Sequence, residues 1–132
     1  MIDSTQILGA IQSKLEGSAA LTSIVPATRM GNYLDKDAAY PHLLYQIDLE
    51  SLEAKDGDGQ RVEMQIDAWT KYRGSKEAMQ IADIVRGLFH GSPLTIASGT
   101  GFGCNYLNMD NAIEPDGETY RISMSFTLWF DG

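Results

Sequence analysis

The chain has 132 residues, with 18 acidic and 10 basic side chains and a formal net charge of −8. Its length and its 43% hydrophobic content predict one domain over residues 1–132 and exclude a disordered or collagen-like chain. The single cysteine excludes an internal disulfide, and the net negative charge disfavours sequence-specific binding of nucleic acid.

No apolar run approaches the roughly 20 residues that span a bilayer. The first residues also lack the basic and apolar regions of a signal peptide. We therefore expect a cytosolic protein without membrane contact.

Apolar spacing predicts an amphipathic helix near the start of the chain, with Asp3 or Ser4 as its cap and Gly17 at its end. A short helical turn follows over residues 18–24 and ends at Pro26. The period then changes to two. Residues 43–50 and 61–68 alternate between apolar and polar side chains on either side of a Gly/Asp-rich turn, which predicts an antiparallel hairpin with one dry and one wet face.

A second helix is predicted from its cap Ser75 to Gly91, before Pro93. Its apolar stripe is formed by Ala78, Ile81, Ala82, Val85 and Leu88. Short strands follow at residues 94–97 and 102–109, with residues 98–101 as the turn between them, and a long alternating strand closes the chain. This order predicts an α+β fold of two layers, in which two main helices pack on one face of a mostly antiparallel sheet.

Two loop-like motifs favour structural roles. Residues 56–67 have the ligand offsets of a twelve-residue calcium loop, but Arg61 stands where that loop requires glycine, so we interpret the segment as a hairpin tip. Residues 99–103 are rich in glycine, but a predicted strand follows them instead of a helix N-terminus, so we expect a flexible turn or a bulge and not a phosphate site.

Single reactive residues also favour structural roles. His42 and His90 lack partners at metal-ligand spacing, and Cys104 has no basic neighbour that would activate its thiol. We expect Cys104 to be a small core residue. The sequence thus predicts neither an enzyme nor a cofactor.

Large aromatic and acidic side chains occupy the wet strand faces. Trp69 and Trp129 end the polar faces of their strands and need cover. That cover comes either from the N-terminal segment or residues 31–40 of the same chain, or from another subunit, and the sequence favours neither. The acidic residues of these faces are Asp48, Glu50, Glu63 and Asp67.

Taken in order, these segments resemble the small tail-completion proteins of tailed bacteriophages and gene transfer agents, a family that includes tail terminators and head–tail joining proteins. The resemblance covers nearly the whole chain. It rests on the opening helix with residues 18–21, on residues 40–45, 62–69 and 74–78, and on residues 115–117 before the last strand.

The resemblance implies a structural protein of the virion, made in the host cytoplasm, that forms a ring, usually of six copies, on the head-proximal end of the tail tube. Its implied partners are its own copies, the tail tube protein and the head–tail connector proteins, while DNA passes through without specific binding. A ring needs two different patches on each copy. We expect these patches at the hairpin tip and the two tryptophans, that is at Lys55, Asp56, Asp58, Gln60, Trp69 and Trp129. The acidic residues of the wet faces would line the lumen and repel DNA.

Two other functions stay open. One is a neck or connector protein of similar fold on the portal side. The other is a small-molecule-binding or catalytic α+β domain with a groove beside His42 and Cys104, which a ligand-induced shift in melting temperature would favour.

Overall fold

A computed structural model describes residues 4–33, 39–51, 60–71, 76–97, 99–113 and 117–131. The helices and strands are, in chain order, α1 (Ser4–Glu16), α2 (Ala19–Thr22), β1 (Met30–Gly31), β2 (His42–Ser51), β3 (Gln60–Thr70), α3 (Lys76–Phe89), β4 (Thr95–Ile96), β5 (Gly99–Ile113) and β6 (Tyr120–Asp131). None of the described helices is long and apolar enough to cross a bilayer.

The helices follow from local sequence signals. Helix α1 buries Ile7, Ile11 and Leu15 on one face and ends just before Gly17, whose N–H donates to the Ser13 carbonyl at 2.9 Å. The Ser18 hydroxyl caps α2 by accepting from the Leu21 N–H at 3.2 Å.

Helix α3 differs from the prediction at one position of its stripe. Phe89 is fully buried, whereas Leu88 is only half-buried, because Phe89 stands one helical turn after Val85. Gly91 ends the helix region with φ of +74°, which glycine adopts at little cost. The predicted cap Ser75 lies outside the described residues.

The six described strands form one sheet in the order β1-β2-β3-β6-β5-β4. The β1–β2 pair is parallel, and the pairs β2–β3, β3–β6, β6–β5 and β5–β4 are antiparallel. Strand β1 was not predicted, because two residues are too few to show a period.

One face of this sheet carries the helices. Val62, Met64 and Ile66 of β3 and their counterparts on β6 form one buried cluster with the apolar sides of α1 and α3. Within the cluster the Phe89 and Phe126 rings lie 5.8 Å apart in a tilted arrangement that favours aromatic attraction. The two-layer α+β prediction is confirmed.

The predicted turn at residues 98–101 is wrong for the part that the structure describes. Gly99, Thr100 and Gly101 begin β5, which continues to Ile113. A Cβ atom on Gly101 would lie 2.1 Å from the carbonyl oxygen of Leu94, so glycine is required by a close approach of two backbones. The sequence suggested a turn because glycine is common in both situations.

Candidate interaction surface

The second face of the sheet carries no described helix, and we call it the open face. It consists of the outward side chains of β2, β3, β6 and β5, which the antiparallel register aligns in rows across the sheet. One row contains His42, Trp69 and Arg121, and a row further along contains Asp48, Glu63 and Thr127. The candidate residues of the wet faces whose side chains the structure describes therefore belong to one surface.

Trp69 lies in an aromatic and cationic cluster. The His42 ring stacks on it with the centroids 6.0 Å apart, and the Arg121 guanidinium lies 5.4 Å from the indole centroid. The Tyr40 ring lies 4.8 Å from the His42 ring, and the Lys71 ammonium lies 4.8 Å from the Tyr40 ring. Trp69 is thus partly covered by side chains of its own chain, and these come mainly from the neighbouring strands.

Burial in this cluster affects His42. Loss of solvent lowers the pKa of the imidazole, and the hydrogen bond between Nδ1 and the Ala39 carbonyl, 3.3 Å long, opposes this effect. The neutral ring is therefore favoured, which suits its stacking on Trp69.

Trp129 is accommodated by a glycine. It pairs with Gly103 of β5, and a Cβ atom on that glycine would lie 3.1 Å from the indole Cδ1 atom. On its other side Trp129 pairs with Arg61 of β3. The half-buried indole therefore lies against Gly103 of its own chain.

The two tryptophans share a pattern that sequence reasoning missed. Each follows an arginine after eight residues on the same strand, Arg61 before Trp69 and Arg121 before Trp129. Because β3 and β6 are antiparallel, the register turns this repeat into two cross-strand Arg–Trp pairs, one at each end of the open face. The repeated spacing was visible in the sequence, but its meaning required the strand pairing.

Exposed carboxylates lie between these pairs. Asp48 and Glu63 are directly opposite each other, and like charges in this position destabilise a sheet by roughly 0.2–1 kcal/mol. Asp67 does not belong to the exposed acidic surface that the sequence suggested. Its side chain is only 8% exposed, and the Gln65 amide donates a hydrogen bond to its carboxylate at 3.0 Å.

The remaining predicted positions are less fully described. Lys55, Asp56 and Asp58 lie outside the described residues, and so do the side chains of Glu50 and Gln60.

An open depression of about 290 Å³ lies beside the acid pair. It is lined by polar side chains of the open face and by Leu107, namely Gln46, Asp48, Glu63, Gln65, Ser125 and Leu107. The register of β5 shifts between Tyr106 and Asn108, and the extra residue Leu107 is 53% exposed. The exposed leucine and the depression therefore lie next to each other on the open face.

The expected groove beside His42 and Cys104 is not formed. His42 belongs to the open face, whereas Cys104 is 1% exposed and part of the core beneath the helices. Burial raises the pKa of the Cys104 thiol to about 11, so its role as a core residue is confirmed.

His90 has a structural contact. Its Nδ1 atom accepts a hydrogen bond from the Tyr106 backbone N–H at 3.1 Å and so satisfies an edge group of β5. The described residues contain no group of three or more His, Cys, Asp and Glu side chains that could hold a metal ion.

Comparison with known proteins shows the family of the chain. A family model described as tail completion protein gp17 matches residues 9–131. The chain belongs to this family. It is a structural protein of the phage tail and thus a component of the virion, and the resemblance drawn from the sequence is confirmed.

Solved structures show the same fold. A chain from the virion of a native gene transfer agent particle superposes with a TM-score of 0.87 at 19% identity, over 98% of this chain and 97% of that chain. Another solved chain superposes with a TM-score of 0.70 at 16% identity, over 100% of this chain and 97% of that chain. No curated protein sequence matches the chain significantly.

Proposed function

We propose that this protein is a tail terminator, which caps the head-proximal end of the tail tube as a ring of six copies and joins the tail to head–tail connector proteins. The observation that carries the proposal is the match of residues 9–131 to tail completion proteins. The similarity of the fold to a chain of a gene transfer agent virion supports it. Assembly would take place in the host cytoplasm, and the mechanism is protein–protein contact without catalysis.

Closure of a ring requires that two different patches on neighbouring copies meet. We assign one patch to the hairpin tip with Lys55, Asp56, Asp58 and Gln60. The other consists of Trp69 and Trp129 at the two ends of the open face, which leaves the carboxylates between them uncovered. Tryptophan and arginine are enriched among the residues that contribute most to protein interfaces, and the open face has an Arg–Trp pair at each end.

The acid pair has a separate role in this proposal. Asp48 and Glu63 face the lumen together with Glu50, and their charge keeps passing DNA from adhering to the wall. Asp67 contributes little to this field because it is buried. Neutralising the pair by Asp48→Asn and Glu63→Gln should slow DNA ejection from assembled particles, and an unchanged ejection rate would refute the lumen assignment.

The test of the main proposal uses purified tail tubes in the presence of the tube subunit. The protein should stop tube elongation, and sedimentation velocity of the tube-free protein at high concentration should reveal a species near six times 14.5 kDa. Continued elongation with saturating protein would overturn the proposal. A label on the protein that appears at the portal side of particles, away from the tube, would favour the neck protein instead.

A matched pair of variants examines the contact patch. Trp129→Ala should abolish capping because it removes an aromatic anchor of the open face. Met79→Ala removes an exposed apolar side chain from the outer side of α3, away from the open face, and it should leave capping unchanged. Equal loss in both variants would contradict the assignment of the open face.

A further inference from the structure

The two halves of the open face carry different chemistry. Strands β2 and β3 bring acceptors and amides, namely Gln46, Asp48, Glu63, Gln65 and Asp67. Strands β6 and β5 bring mainly hydroxyls and amides in the same rows, namely Ser123, Ser125, Thr127, Asn105 and Asn108, with the carboxylate of Asp110 beside Ser123. Each side chain of the first half thus shares a row with a hydrogen-bonding side chain of the second half.

This division makes the face complementary to itself. Two open faces can meet about a two-fold axis that runs parallel to the strands, over the boundary between β3 and β6. This axis places β3 of one copy over β6 of the other, and β2 over β5. It sets Glu63 against Thr127 of the partner subunit and Asp48 against Asn105 of the partner subunit. No carboxylate of these rows then lies directly opposite another carboxylate, which limits the repulsion between the two faces.

Leu107 supplies the apolar part of the same contact. In this arrangement β5 of one copy lies over β2 of the other. The exposed Leu107, which lines one end of its own depression, then meets the end beside Gln46 and Asp48 in the depression of the other copy. The contact is reciprocal, because each copy offers one leucine and one depression. Isologous interfaces have this property.

The Arg–Trp pairs and the area favour a second copy as the occupant. Across the axis, Arg121 faces Trp69 of the partner subunit. The Arg121 guanidinium already lies 5.4 Å from the Trp69 ring of its own chain, so it gains a second aromatic surface. Four strands at about 4.8 Å spacing and about nine residues each at 3.4 Å give a flat footprint of roughly 500–600 Å² per copy. Side chains that project from the sheet add to this flat area and bring the accessible surface buried per copy toward the ~800 Å² per partner of a standard interface.

We propose that two free copies pair at micromolar concentration through their open faces as an isologous dimer, which hides the surface that the ring uses. The dimer holds the protein out of ring assembly until the tail tube or a high protein concentration favours the ring. The pairing itself does not depend on the proposed terminator function. Its role as a reserve state does, since the dimer and the ring then compete for one surface.

Sedimentation equilibrium of the full chain tests the dimer with a matched pair of variants. The wild-type protein should form a species of twice 14.5 kDa at micromolar concentration, and Leu107→Asp should weaken that association at least tenfold. Ile113→Asp introduces the same charge on the same strand at a similarly exposed residue. Because side chains alternate along β5, residue 113 points away from the open face, so this variant should leave the association unchanged.

Cysteine cross-linking tests the geometry of the pairing. Asp48→Cys and Asn105→Cys proteins, mixed and treated with a short bismaleimide, should give a covalent dimer, because these positions oppose each other across the axis. Each variant alone should give at least fivefold less, and the native Cys104 stays unreactive because it is buried.

The outcomes separate the two proposals. A protein that is monomeric at every concentration, or cross-linking that is equal in single and mixed samples, would overturn the dimer while leaving tube capping to be judged by its own assay. A dimer with the expected cross-link in a protein that does not cap tubes would uphold the pairing and overturn the terminator function with the reserve role that depends on it.

Discussion

Replacing Gly101 by alanine examines the close approach between the start of β5 and the segment before β4. The added Cβ atom would lie 2.1 Å from the Leu94 carbonyl oxygen, where ordinary contact begins at 3.4 Å. The two backbones must therefore separate by about 1.3 Å, which disturbs the pairing of Thr95 with Thr100 and of Ile96 with Gly99. Leu94 is buried and would lose part of its packing.

The magnitude follows from these two effects. Forcing extra volume into a packed site costs about 1–3 kcal/mol, and partial exposure of a buried leucine adds about 1 kcal/mol. We expect Gly101→Ala to lower the free energy of unfolding by about 3 kcal/mol. With a urea dependence of about 2 kcal/mol per M, the unfolding midpoint should fall by about 1.5 M.

Urea unfolding followed by tryptophan fluorescence measures this shift, with two alanine variants as controls. Gly103→Ala places its Cβ atom 3.1 Å from a movable indole, so it should cost less than half as much. Gly9→Ala meets no atom within 4 Å inside α1 and should stabilise by up to about 1 kcal/mol. A Gly101→Ala protein as stable as Gly103→Ala would refute the close approach to Leu94.

Three further predictions concern single groups. Burial and a thiol pKa of about 11 should keep Cys104 unreactive toward thiol reagents at mildly alkaline pH in the folded protein, with full reaction in denaturant; rapid native-state labelling would contradict its core position. Burial lowers the pKa of His42 below its ordinary value of 6.5, so the histidine of the unfolded chain takes up a proton before that of the folded protein as the pH falls. The free energy of unfolding therefore declines as the pH falls below 6.5. His42→Gln should flatten that part of the pH–stability curve, and an unchanged slope would count against the burial of the ring. Asp48→Asn should stabilise by roughly 0.2–1 kcal/mol because it removes repulsion from Glu63, whereas Asp110→Asn, opposite Ser123, lacks that gain; equal urea midpoints in the two variants would argue against the pairing.

The candidate surface was only partly predictable. Alternation placed Trp69, Trp129 and Glu63 on the polar faces of their strands, since side-chain direction along a strand depends only on parity. It did not show that Asp67 is buried or that Leu107 stands on a bulge. Both depend on side chains of neighbouring strands and on an irregular register, which leave no periodic signal.

The sequence by itself determined the helices, the main strands and the two-layer α+β class, because the periods of burial and the capping residues are local properties. It also carried enough ordered segments to indicate the tail-completion family. Only the tertiary structure decided that β3 lies beside β6, about 60 residues later in the chain. That pairing turns two separate Arg…Trp spacings into Arg–Trp pairs and joins the polar faces of distant strands into one surface. Strand pairing of this kind is fixed by the packing of the whole sheet on its helices, a non-local balance that no window of the sequence contains.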